Sequence, residues 1–165
     1  MKARKVAVVA AVFPVGLLAL GASLGAKSPD VRCHKLEGSL VELFDPETGS
    51  TKGTLTNAEW LNGTAEAVFN SAPFVTPDPN KVTFSSTMTI TTRHGDLHGL
   101  NRVYLFDFVT GRGTDVTDID RASSTGVFAG ATGVVYTNLV KTVSAARGPY
   151  HSVVTGRICF PRANQ

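Results

Sequence analysis

The chain has 165 residues, 42% hydrophobic and 18% charged, with 16 glycines, 8 prolines and 2 cysteines. That is a globular composition, which excludes a disordered or collagen-like chain and leads to the expectation of one domain. The formal charge of +3 is carried by Lys2, Arg4 and Lys5, and from Lys27 onward 13 basic residues balance 13 acidic ones, so no electrostatic case remains for nucleic acid or an anionic membrane as partner.

Residues 6–24 follow the basic cluster without a single charge and read as a secretory signal peptide. Ser23 and Gly25 suit cleavage before Ala26, with Gly21 and Ser23 as an earlier alternative. The expected organisation is a leader over 1–25 and one domain over 26–165, secreted or periplasmic, with no stable membrane insertion after the leader is removed. An uncleaved anchor is the rival, since 19 uncharged residues approach bilayer-spanning length, although Pro14, Gly16 and Gly21 oppose it. Gly21-Ala22-Ser23-Leu24-Gly25 matches the hydrolase pattern G-x-S-x-G but lacks the strand before it and helix after it that a nucleophile elbow requires.

Cys33 and Cys159 lie near the two ends of the mature chain. Export to an oxidising space favours a disulfide between them, which would set the first and last strands side by side. A metal site from Cys33, His34, His151 and Cys159 is the weaker alternative, because structural zinc draws on closely spaced ligand pairs.

Between the cysteines, Val, Thr, Phe and Gly dominate and helical spacing of apolar residues is scarce, so strands are expected. Residues 35–44 form one, closed by the turn Asp45-Pro46-Glu47-Thr48-Gly49; 51–60 and 64–70 are weaker strands separated by Asn62-Gly63, and the proline-bearing 71–80 is a loop. Residues 81–93 alternate most clearly. Val82, Phe84, Met88 and Ile90 define a dry face, interrupted only by Ser86 and Thr92, and Thr83, Ser85, Thr87, Thr89 and Thr91 define a hydroxyl face. Gly95-Asp96 is expected to turn the chain into a strand over 97–109, apolar on both faces except at Asp107, as if one face lined an interior and the other met a subunit or covering segment. A strand starting over 114–120, a glycine-studded one over 126–136 that 138–144 extends or returns, and a last one over 150–160 complete seven or eight, without a crossover helix. The expected fold is all-β, an antiparallel up-and-down barrel, with a β-sandwich as the alternative.

The stretch Ser124-Thr125-Gly126-Val127-Phe128-Ala129-Gly130-Ala131-Thr132-Gly133-Val134-Val135-Tyr136 resembles the G-x-F-x-G-A-x-G motif of the allene oxide cyclase and dirigent barrel superfamily, including its bacterial secreted members. Gly156-Arg157-Ile158-Cys159-Phe160 is similar to the terminal strand of bacterial relatives, and Gly63-Thr64-Ala65 and Gly95-Asp96-Leu97 fit preceding strands. The resemblance implies an eight-stranded barrel, often trimeric, whose lumen takes a small apolar molecule and in some members steers a cyclisation or radical coupling. The acidic and polar lumen groups of those cyclases have no position-by-position match in this chain.

Asp107, set among aromatic and aliphatic residues, is the candidate acid or base, since desolvation raises a carboxylate's pKa. Phe84, Met88, Tyr104, Phe106, Phe128 and Tyr136 are the lumen candidates for ligand contact, against the competing picture of a filled core. His94 and His98 read as turn histidines, and Asp115, Asp118 and Asp120 as a solvated loop or strand edge lacking EF-hand spacing. Asn62-Gly63-Thr64 is an N-glycosylation pattern. No nucleotide loop or metal-ligand cluster stands out, so no cofactor is expected. Two functional classes follow: an exported barrel binding a small apolar ligand, with isomerisation or cyclisation as the implied activity, or a non-catalytic structural or interaction protein with a filled barrel and a homo-oligomeric outer face.

Overall fold

The computed structural model describes residues 31–70, 73–142 and 148–161. The leader, its cleavage site and the Gly21–Gly25 pattern lie outside them. Nine strands follow in order: β1 Val31–Asp45, β2 Ser50–Thr56, β3 Gly63–Phe69, β4 Phe74–Val75, β5 Lys81–Thr92, β6 Gly95–Asp107, β7 Arg112–Ile119, β8 Thr132–Thr142 and β9 Tyr150–Pro161. All pair antiparallel. Pairing of β3 with β5 and of β1 with β9 closes eight of them into an up-and-down barrel, which excludes the sandwich; β4 adds to β5 as a short extra strand. Closure leaves the eight strands without a long open edge.

Alternation sets the interior. On β1 Leu36 and Leu40 are buried, on β5 Ser86, Met88 and Ile90, and on β9 Ser152, Val154 and Ile158, while Thr87 and Thr91 of β5 face outward and are exposed. Cys33 and Cys159 are register partners across β1 and β9 and are joined by the expected disulfide, so neither is available to a metal. A disulfide fits a non-reducing compartment. Among the described residues no helix is long and apolar enough to cross a membrane.

Four local expectations are corrected. The stretch 71–80 is not loop throughout, since Phe74 and Val75 pair with Thr83 and Val82 at the edge of β5. Residues 126–136 are not one strand: Gly126–Phe128 is a 3-10 turn and β8 begins at Thr132. Gly126 adopts φ +59°, where a Cβ would stand 2.2 Å from the carbonyl oxygen of His94. Only glycine lets this turn lie against the β5–β6 hairpin. There the N–H groups of Thr125 and Val127 donate to Asp96 and His94 carbonyls. Residues 51–60 likewise split, with β2 ending at Thr56 and a second 3-10 turn over Glu59–Leu61. The β5–β6 turn is Arg93-His94, with Gly95 already paired to Thr92.

These two 3-10 turns plug one end of the barrel. Phe128 and Leu61 are fully buried there, and Trp60, Phe128 and Phe160 pack with ring centroids 5.3–6.2 Å apart. Burying one such aromatic ring contributes about 2–3 kcal/mol.

Candidate functional site

The opposite end is hollow. A cavity of about 350 Å³ opens there, within the size range of small-molecule sites. Its wall is largely aromatic: Phe44, Phe69, Phe84 and Tyr104 form a chain of ring contacts with centroids 5.7, 4.6 and 4.4 Å apart, supplied by β1, β3, β5 and β6. Phe106 and Phe108, 5.1 Å apart, continue it along β6 and past its end.

Four of the six lumen candidates, Phe84, Met88, Tyr104 and Phe106, line this cavity. Phe128 and Tyr136 do not. Phe128 belongs to the filled end, and Tyr136 points out of the barrel at 45% exposure. The 3-10 turn breaks the two-residue period between them, so their common parity does not put them on a common face. Asp107 is also elsewhere. Its Oδ1 accepts the N–H groups of Val109 (2.8 Å) and Thr110 (3.2 Å), capping the β6–β7 turn. Phe108 and Val109 beyond it are exposed, so the apolar run does not bury it.

The carboxyl groups in the chamber are Glu42 and Asp115. Asp115, expected at a solvated edge, is only 6% exposed. Strand β7 turns Asp115 and Thr117 inward and leaves Thr114 on the exposed face, so its polarity hid a buried position. Burial, followed by the negative charge of Glu42, raises the Asp115 pKa to about 7, against hydrogen bonds from Thr137 and Thr117 that favour the ion. Thr117 Oγ1 lies 3.4 Å from Asp115 Oδ1. Glu42 keeps part of its surface toward the cavity, yet the surrounding walls raise its pKa too; Thr51 Oγ1 donates to Glu42 Oε1 at 2.9 Å and partly offsets this. Glu42 shares its parity with Leu36, Leu40 and Phe44, a signal present in the sequence.

Two phenols join the hydroxyls of Thr51, Ser86, Thr137 and Ser152 in the polar part of the lining. Tyr104 is the register partner of Asp115, and Tyr150 that of Glu42. Burial raises the pKa of both; the charges of Asp115 and then Glu42 add to the effect at Tyr104, and that of Glu42 at Tyr150. Tyr104 and Tyr150 therefore stay neutral, while burial favours the protonated form of both carboxyls and the charge of Glu42 adds to that at Asp115. Such a pair offers a proton donor and a proton acceptor in one largely apolar chamber.

The remaining polar candidates are structural. Arg93 Nε donates to His94 Nε2 at 2.9 Å, and His98 Nδ1 lies 3.0 Å from Thr89 Oγ1. Asp120 accepts from the Ala122 N–H and the Ser123 hydroxyl, which lower its pKa. Among the described residues no group of three or more His, Cys, Asp or Glu side chains is placed to hold a metal ion. Comparison of the chain with protein-family models, curated proteins and solved structures yields no match.

Proposed function

We propose that this protein is an exported barrel that binds a small, largely apolar molecule in its hollow end and acts on it by proton transfer, as an isomerase or cyclase of the allene oxide cyclase-like type. One observation carries this reading: a ligand-sized cavity walled by aromatic rings encloses two carboxyl groups of raised pKa. A core shaped only for stability would fill that volume, since desolvating a carboxylate without a paired cation is costly. The closed eight-stranded topology supports the superfamily resemblance, and the disulfide supports export. Glu42 and Asp115 are the acid–base pair in this reading, and Tyr104 is a neutral hydrogen-bond donor. The chemistry assigned to them needs no cofactor.

A homo-oligomer, a trimer by resemblance, accompanies this proposal. Val41, Leu43, Leu105, Val140 and Val153 are exposed on the outer wall, and apolar side chains there suit contact with further copies. Native mass spectrometry of the protein purified from its own host tests these points together. The expected species lacks residues 1–25, has lost two hydrogens to the disulfide, is oligomeric and retains a small molecule. Protein that carries no small molecule, and whose melting temperature no apolar probe raises, would refute the binding function.

A further inference from the structure

The cavity is chemically one-sided. Glu42 enters from β1 and Asp115 from β7, strands separated around the barrel by β9 and β8, so the two carboxyls approach the lumen from different walls. Among the described residues lining the cavity there is no Lys, Arg or His, and the ion pairs found, Lys35–Glu37, Lys52–Glu66 and Lys81–Asp78, all lie elsewhere. The other titratable groups facing this space are the phenols of Tyr104 from β6 and Tyr150 from β9. The described lining thus supplies negative charge, hydroxyls and π-faces to the ligand, and no positive charge.

Ligand classes can be ranked on that basis. A carboxylate or phosphate would meet two like-charged groups in a poorly screened space. A neutral apolar ligand would fill the volume but strip water from Glu42 and Asp115 without replacing it. An ammonium group answers both carboxyls, and the faces of Phe44, Phe69, Phe84 and Tyr104 attract the same charge. We propose that the ligand carries a basic nitrogen, held as an alkylammonium ion between Glu42 and Asp115, with its apolar body against the Phe69–Phe84–Tyr104 ring wall. This rests on the hollow end being a binding site, and it adds the charge of the occupant. The raised carboxyl pKa values agree with it, since burial penalises both ionised carboxyls and a bound cation would offset that penalty.

Three probes of one shape separate the possibilities: 3-phenylpropylamine, 3-phenylpropan-1-ol and 3-phenylpropanoate, titrated calorimetrically into the full-length mature protein at pH 7. The amine is expected to bind at least about tenfold tighter than the alcohol, with the carboxylate weakest. Cation binding should expel a proton from the Glu42–Asp115 pair, seen as a heat that changes with the ionisation enthalpy of the buffer; the alcohol should show no such dependence. In the E42Q/D115N double variant, shown to be folded by a circular dichroism spectrum matching the parent's, the amine should lose its advantage over the alcohol and the buffer-dependent heat should vanish; an amine preference that survives in the folded variant overturns the inference. Equal binding of amine and alcohol by the unmodified protein, or preference for the carboxylate, overturns the inference and leaves the binding site standing. Failure of all three probes to bind overturns both.

Discussion

The two ends of this barrel are made from the same strands and differ in kind. Along β1 the inward positions run from Leu36 and Leu40 to Glu42; along β9 they run from Ile158 and Val154 back to Ser152 and Tyr150. At the filled end two 3-10 turns pack Phe128 against Trp60 and Phe160 inside the barrel, while the Cys33–Cys159 bridge ties β1 to β9 on the outer face of the same end. At the other end the ring wall stands back from a chamber holding two desolvated carboxyls. Close packing and the cavity thereby lie at opposite ends of one axis, and the unfavourable burial of the two carboxyls is offset by packing elsewhere.

The sharpest way to break this contrast is at the bridge. It closes a loop with a sequence separation of 126. In the chain-entropy model the double substitution Cys33→Ser/Cys159→Ser should cost up to about 5 kcal/mol in urea denaturation. Next comes a matched pair of ring deletions. Phe128→Ala in the filled end should cost about 3–5 kcal/mol, because its fully buried site cannot collapse onto solvent-accessible space. Phe84→Ala, whose ring faces the cavity, should cost less than half as much. Equal losses at the two positions would show that the barrel is packed alike throughout.

Asp115 sharpens the comparison through pH. Its folded pKa of about 7 lies above the ordinary carboxyl value of 3.8. Between those values the folded state holds more protons than the unfolded one, so stability falls as pH rises from about 4 to 7 and is level above that. The full penalty is at most about 4 kcal/mol, shared with Glu42 because the two titrate together. Asp115→Asn should flatten the stability–pH curve over that window and make the variant more stable than the parent at pH 8, with little difference at pH 4. A variant less stable than the parent at pH 8 would mean that the ionised group is a net stabiliser.

Much of the architecture is legible from local alternation, and the limits of that legibility are physical. Strand β5 reads directly, since its dry and hydroxyl faces differ at nearly every step. The disulfide partners were assignable because only one pairing of two cysteines exists. Phe128 misled because Gly126, Gly130 and Gly133 permit positive φ angles that interrupt the strand, and parity cannot be carried across such a break. Asp115 was hidden for the opposite reason. Strand β7 inverts the usual preference by turning Asp115 and Thr117 inward, so a hydrophobic pattern assigns it to the wrong side. Its place follows only from register with Tyr104, a non-local fact.

The smallest effect tests how finely the chamber is tuned. Thr51, 9% exposed on β2, donates to Glu42 across the β1–β2 ladder. Thr51→Val keeps the shape and removes the donor, so the ionised carboxylate loses its partner and the Glu42 pKa should move further up, as carbon-detected NMR of the side-chain carboxyl would show. The stability cost should be about 1 kcal/mol at pH 8, where the ion needs the hydrogen bond, and smaller at low pH, where the protonated carboxyl has less need of it. Because Asp115 feels the charge of Glu42, its own pKa should then fall: a neighbour that stays protonated longer repels its ionisation less. Opposite movement of the two titrations would establish that they are electrostatically coupled; an Asp115 titration unmoved by Thr51→Val would make them independent groups that merely occupy the same chamber.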